Sequence, residues 1–334
     1  MYRIPNKKLW QGRTDTLDGR EGFRWHQAIQ TLPINSPDFT QISANDAISY
    51  VITGFCCDEG VKRNLGRIGA SEAPKHIRKA LSNLPYHLSD KSKIIDIGDV
   101  VCLGEFLEDA QADLGEKVDY ILSKGYKSIV LGGGHEIAYG HYLGIHHFAR
   151  KHQLNVGIIN FDAHLDTRSY KDNATNGSVS RTGKGNSGTP FLQISELCEK
   201  NAMPFHYLAI GIQKQSNTTK VFNNTKEIGA EYILSNRVNM HYLAELLEKL
   251  ECFVADKDAL YITVCMDVFA AAFAPAVSAT NGEGVYPEVF FALLDYLANT
   301  RKIIAFDIAE LNPQFDRDEQ TAKLAANLIF KVVS

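Results

Sequence analysis

Apolar, β-branched runs recur along the chain at residues 48–55, 93–98, 127–131, 156–161, 206–212, 231–234, 260–265 and 302–308. Segments with apolar residues at helical spacing separate several of them, among others 73–83, 105–124, 136–151 and 240–251. Short continuous apolar runs between turn signals fit strands buried on both faces. Eight of them alternating with helices predict a three-layer α/β/α fold around a mainly parallel sheet. No internal repeat, low-complexity tract or break in composition marks a second domain. The expected organisation is therefore an N-terminal arm, residues 1–46, packed on a single α/β domain spanning 47–334. The longest loop expected is 167–190, rich in Ser, Asn, Gly and Thr; loops of that length inside a compact domain are functional lids or disordered.

In open parallel sheets, ligands bind beyond the carboxyl ends of the strands, and the polar clusters fall at those ends. The run 156–161 leads into N-F-D-A-H-L-D-T-R at 160–168, where Asp162, His164 and Asp166 alternate. In extended backbone, residues two apart point to the same side, so two carboxylates and one imidazole can converge. That donor mixture suits a divalent cation such as Mn, Fe or Zn. The plain alternative is a set of loop residues capping the next helix.

The run 127–131 is followed by Gly132-Gly133-Gly134-His135-Glu136. Glycines let the backbone turn tightly and approach a bound group, with His135 at the start of the next helix. A glycine turn with an N-terminal histidine explains it equally simply. Neither this stretch nor 183–188 has the spacing of a dinucleotide fingerprint or a P-loop. After 260–264, Cys265 and Asp267 share a face. After 303–306 come Asp307 and Glu310, in D-I-A-E-L-N-P. Glu310 can pair with a cationic amidine or guanidine nitrogen, or simply open a solvated helix. Joint placement favours a centre: four strand ends each supply acids, imidazoles or a thiol.

Composition narrows the classes. The chain has 334 residues, 45% hydrophobic and 22% charged, with a net charge of -4, which gives no polyelectrolyte signature and argues against a nucleic-acid partner. No apolar run approaches a membrane span, and Met1-Tyr2-Arg3-Ile4-Pro5 lacks a signal peptide's apolar core. The expected compartment is the cytoplasm, with no membrane partner. Six cysteines without a C-x-x-C pair indicate neither a zinc knuckle nor a disulfide framework.

G-G-G-H-E at 132–136, N-F-D-A-H-L-D at 160–166, S-G-T-P-F at 187–191 and D-I-A-E-L-N-P at 307–313 resemble the ureohydrolase (arginase/agmatinase) superfamily. W-Q-G-R at 10–13, N-L-G-R-I-G-A at 64–70 and the G-G-G-H-E variant favour its formimidoylglutamase branch. The resemblance implies an arginase-like fold, assembly as trimers or hexamers, and two Mn ions. His135 and Asp166 would hold the first ion and His164 the second, with Asp162 bridging both and Asp267 completing the ligands of the second ion. It further implies hydrolysis of N-formimidoyl-L-glutamate to L-glutamate and formamide by a metal-activated hydroxide, as in histidine degradation. Asp166 would move a proton, and Glu310 would pair with the protonated imino nitrogen. Arg168, with Ser187 and Gly188, is the candidate binding site for the substrate, because guanidinium forks fit carboxylates. Arg67 either holds the N-terminal segment or touches substrate.

Two departures qualify the resemblance. Where the superfamily has a bridging aspartate, this chain has Cys265, a soft donor, whereas Mn prefers oxygen. Three outcomes stay open: a thiolate ligand that shifts preference toward Zn or Fe, an unligated thiol beside a weak or absent ion, or a metal-poor, impaired site. The stretch 274–281 also lacks the usual A-P-G and following proline. Rival readings are an agmatinase or guanidinobutyrase-type amidinohydrolase, a metal-poor pseudoenzyme, and covalent catalysis by Cys265.

Overall fold

A computed structural model describes residues 1–41, 48–89, 91–170 and 184–333. Among the described residues ten strands form one sheet: β1 (Tyr2–Arg3), β2 (Gln30–Thr31), β3 (Tyr50–Cys56), β4 (Ile94–Val101), β5 (Lys127–Leu131), β6 (Val156–Phe161), β7 (His206–Ile212), β8 (Glu231–Leu234), β9 (Ala259–Cys265) and β10 (Ile303–Ala309). Their order is β1-β4-β3-β5-β10-β9-β6-β7-β8, with β2 also paired to β4. Every pairing is parallel except β1 against β4. Eight strands match the apolar runs read from the sequence, and β5 to β8 do so residue for residue. The two extra strands are two-residue pairings near the N-terminus, too short to carry a periodic signal.

Neighbouring residues on one strand feed opposite faces, as period-2 geometry requires. Ile159, Leu208, Ile262 and Phe306 pack with helices Ala73–Ser82, Leu243–Val254, Pro287–Asn299 and Gln320–Val333. Ile158, Tyr207, Tyr261 and Ala305 pack with helices Leu107–Ser123, Ile137–His152 and Pro190–Lys200. Both faces are thus apolar, so the strands read as unbroken hydrophobic runs.

Register places the chemistry. Leu131 lies beside Ile308, Ala309 beside Cys265, and Phe161 beside Val264. The central strands β5, β10, β9 and β6 therefore end at one level, and whatever follows them shares one rim. Of the loop expected at 167–190, residues 171–183 lie outside the described residues; 184–189 are described, and helix Pro190–Lys200 follows. All six cysteines are free. Among the described residues no helix is long and apolar enough to cross a membrane.

Near the sheet edge, Arg78 is 1% exposed and bonds Asp96 through Nε and Nη2 at 2.9 and 2.8 Å, Asp99 through Nη1 at 2.6 Å and the Gly98 carbonyl at 3.0 Å. Trp10 Nε1 donates to the same Asp96 at 2.7 Å, and Arg3 Nε donates to Asp99 at 3.0 Å.

Candidate metal centre

The glycines after β5 are explained by crowding. A Cβ on Gly132 would stand 2.3 Å from the Ile308 carbonyl oxygen, and one on Gly133 would stand 2.2 Å from that of Cys57. Only hydrogen fits, so the backbone passes against its neighbours and delivers His135 to the rim. His135 is 1% exposed. Its Nδ1 lies 2.8 Å from Asp162 Oδ2 and 3.1 Å from Asp166 Oδ2, yet makes no hydrogen bond of acceptable geometry. An orphaned, buried ring nitrogen converging with two carboxylates is the arrangement a cation resolves.

A second imidazole stands opposite. His164 Nδ1 lies 3.1 Å from Asp267 Oδ2 and 3.6 Å from Asp162 Oδ1. Two groups of ligand-competent atoms gather within 4.8 Å: His135, Asp162 and Cys265, and Asp162, His164 and Asp267. Asp162 belongs to both. It is fully buried, and its carboxylate accepts the His164 backbone N–H at 2.7 Å and the Asn160 side-chain amide at 3.2 Å. The structure thus brings together all five expected acids and imidazoles, with Cys265 on the His135 side.

The route to convergence differs from simple strand alternation. The chain bends at residues 163–164, and Asp166 takes a left-handed φ of 49°. Glu310 is left-handed too, with φ 67°. Such backbone is uncommon for these side chains and collects at functional sites.

Electrostatics follow from packing four carboxylates, two imidazoles and a thiol into one largely buried space. Burial opposes charge on His135, but Asp162 and Asp166 outweigh it and raise the imidazole well above its ordinary value. His164 is raised likewise against burial, by Asp267 and Asp162. Burial would raise Asp162, but His135 and His164 hold it below the usual carboxylate range. Burial and then the Asp162 charge push up both Asp166 and Asp267. The Cys265 thiol is raised by burial and then by the nearby Asp162, Asp267 and Glu310. Glu310, 7% exposed, is pushed to about 8, chiefly by burial and then by Glu136.

Glu310 Oε1 accepts the His135 backbone N–H at 2.9 Å. Arg168 donates through Nη1 to Asn64 Oδ1 at 3.3 Å, and Asn64 Nδ2 donates to Ser187 Oγ at 3.1 Å. The Gly188 carbonyl accepts the Arg168 N–H at 3.0 Å, and a Cβ on Gly188 would stand 3.1 Å from Arg168 Cδ. The three expected substrate contacts therefore form one patch, and Asn64 ties two of them together. Arg67 instead grips the segment after β9: Nε bonds the Ser278 carbonyl at 2.9 Å, Nη2 the Val277 carbonyl at 2.5 Å, and the guanidinium stacks on Phe315 at 3.9 Å. In that segment Asn281, itself buried, holds the Asp267 carbonyl at 2.9 Å. Sequence reasoning missed Asn64, Asn160, Thr263 and Asn281. Asn64 and Asn160 carried a signal, as the first residues of N-L-G-R-I-G-A and N-F-D-A-H-L-D.

The model of the arginase family matches residues 48–334. The chain belongs to the arginase family. It is 41% identical over 334 residues to the formimidoylglutamase of Clostridium tetani, spanning 99% of this chain and 95% of that protein. It is 40% identical over 325 residues to that of Chromobacterium violaceum, spanning 97% of each. Its fold matches the crystal structure of formimidoylglutamase from Bacillus subtilis with a TM-score of 0.73 at 21% identity, over 87% of this chain and 88% of that one. It matches formiminoglutamase from Trypanosoma cruzi, crystallised with manganese, with a TM-score of 0.72 at 23% identity, over 86% and 92%.

Proposed function

We propose that this chain hydrolyses the amidine C–N bond of N-formimidoyl-L-glutamate, giving L-glutamate and formamide, with two manganese ions held at the rim. The observation that carries the reading is Asp162, which belongs to both ligand groups, in a chain about two-fifths identical to formimidoylglutamases over nearly its whole length. His135, Asp162 and Asp166 would hold one cation, and His164, Asp162 and Asp267 the other. The donors fit: oxygen and imidazole suit manganese, and the orphaned His135 Nδ1 gains a partner. When bound, the cations supply Lewis acidity that makes water nucleophilic near neutral pH.

The protein's own groups do the rest. Asp166 sits 3.1 Å from His135 at the edge of the cluster and takes and passes on a proton. Glu310 spends Oε1 on the His135 N–H; among the described residues Oε2 makes no hydrogen bond and is left to pair with the protonated imino nitrogen. Arg168, steadied by Asn64 and Gly188, binds substrate carboxylate as a guanidinium fork. Cys265 stays a protonated thiol beside the His135 position and leaves that ion the more weakly held. A covalent role is disfavoured, because a nucleophile must be a thiolate and this one is buried among carboxylates.

Kinetics of the manganese-loaded enzyme with N-formimidoyl-L-glutamate, agmatine and 4-guanidinobutyrate test the reading. The expected kcat/KM favours the formimidoyl substrate by at least roughly a hundredfold. Equal turnover of agmatine, or no turnover of any of the three, would overturn it.

A further inference from the structure

Behind His135 lies a chain of buried hydrogen bonds that the reaction does not touch. His135 Nε2 is 3.0 Å from Thr263 Oγ1, and Thr263 Oγ1 is 2.5 Å from Asp307 Oδ1. Asp307 Oδ2 also receives the Tyr261 hydroxyl at 2.6 Å and His141 Nδ1 at 2.7 Å, and His141 Nε2 meets Ser128 Oγ at 3.1 Å. Thr263, Asp307 and His141 are fully buried. Thr263 and Asp307 are direct neighbours across β9 and β10, so the sheet register itself fixes their contact.

Counting protons orients the chain. A carboxylate accepts only, and a threonine hydroxyl has one proton to give. With Asp307 as acceptor, the Thr263 proton goes to Asp307, and the hydroxyl lone pair must accept from His135. Nε2 therefore keeps its ring proton, and Nδ1 is the nitrogen free to give its lone pair to a cation. Nδ1 is the atom aimed at Asp162 and Asp166 without a hydrogen bond of its own.

We infer that Thr263 and Asp307 are positioning residues that lock His135 in the Nε2–H tautomer and turn Nδ1 to the cation. The inference rests on the two-cation reading above. Outer groups that hold a ligating imidazole in this way typically contribute ten- to hundredfold in metal affinity. Tyr261 and His141 hold Asp307 in turn, so the sheet interior carries the orientation from Ser128 to the rim.

Manganese titration of the whole protein, by calorimetry with elemental analysis of ions per chain, tests this. In Thr263→Val, near-isosteric and without a hydroxyl, affinity for one of the two ions should fall about ten- to hundredfold, while the other ion keeps its wild-type affinity. Thr263→Ser should restore the lost affinity. Wild-type affinity for both ions in Thr263→Val overturns the inference. A wild-type protein that binds no manganese overturns the metal reading itself, a distinguishable failure. An arm that needs no variant is long-range proton–nitrogen NMR of the zinc-loaded wild type. The expected spectrum has the His135 proton on Nε2 and the metal on Nδ1; the reverse assignment overturns the inference.

Discussion

Glu310 Oε1 accepts the backbone N–H of His135 at 2.9 Å, so the loop leaving β10 clamps the loop leaving β5. One carboxylate thereby serves structure through one oxygen and, in the proposed mechanism, substrate through the other. Glu310→Gln keeps an acceptor for His135 but removes a carboxyl that can ionise to pair with the amidine. The expected result is near-native melting and manganese content with kcat/KM reduced about a hundredfold or more. Glu310→Ala should in addition lose about 1–3 kcal/mol of stability, the cost of an orphaned buried N–H. Steady-state kinetics and thermal melts separate the two, and a fully active Gln variant would remove Glu310 from the mechanism.

Asn64 bonds both Arg168 and Ser187 and touches neither imidazole of the centre. Asn64→Ala should loosen the guanidinium, raising KM for N-formimidoyl-L-glutamate about tenfold with kcat changed little. Arg168→Ala should raise KM further, because the carboxylate loses its cation. A change confined to kcat in either variant would contradict a binding role.

Cys265 puts sulfur where oxygen suits manganese better. Cys265→Asp should tighten the weaker ion by roughly tenfold or more, about 1.4 kcal/mol, and bring manganese closer to two per chain after dialysis. Turnover should rise with occupancy. Weaker binding in the variant would mean that the native thiol is itself a ligand.

Cation binding should depend on pH with a definite sign. Without metal, His135 and His164 are raised above their ordinary values despite burial, by the carboxylates beside them. Their ion pairs therefore stabilise the metal-free protein fully below the ordinary imidazole value of about 6.5, and that contribution fades as pH rises through the raised values. Manganese must displace these protons, so its affinity runs the other way. It should increase between about pH 6 and about pH 8, roughly tenfold per pH unit for each proton displaced. Calorimetry in two buffers of different ionisation enthalpy measures the protons released; a pH-independent affinity would contradict protonated imidazoles in the metal-free centre.

Arg78 is closed in on all sides by Asp96, Asp99 and the Gly98 carbonyl. Arg78→Met would leave Asp96 buried without a countercharge and Asp99 with Arg3 alone, at an expected cost of about 3–5 kcal/mol. Urea denaturation of the metal-free protein measures it. Trp10→Phe, which removes one donor to Asp96, should cost about 1 kcal/mol.

How much of this was legible depended on burial. Strands such as Val156–Phe161 are covered on both faces, so each is an uninterrupted apolar run with polar ends, and the candidate ligands stand out at those ends. The pairs Tyr2–Arg3 and Gln30–Thr31 bury too little to leave a pattern. Asp162, His164 and Asp166 were visible by spacing, but the bend at 163–164 and the left-handed Asp166 that gather them were not, because backbone dihedrals of Asp leave no trace in composition. Thr263 was hidden for a different reason. A threonine inside β9 reads as an ordinary β-branched strand residue, and only the neighbouring strand, some 44 residues away in sequence, gives its hydroxyl a task.

The level ends of β5, β10, β9 and β6 have a thermodynamic corollary. In the proposed two-cation centre the ligands come from the ends of β5, β6 and β9, with the Glu310 clamp from β10, so filling the rim would tie four strand ends together. Opening of the middle of the sheet would pull those ends apart, and bound manganese would resist it. Amides of β9 and β10, deep in the molecule, should then exchange with solvent more slowly once manganese is added, although none of them touches the ion.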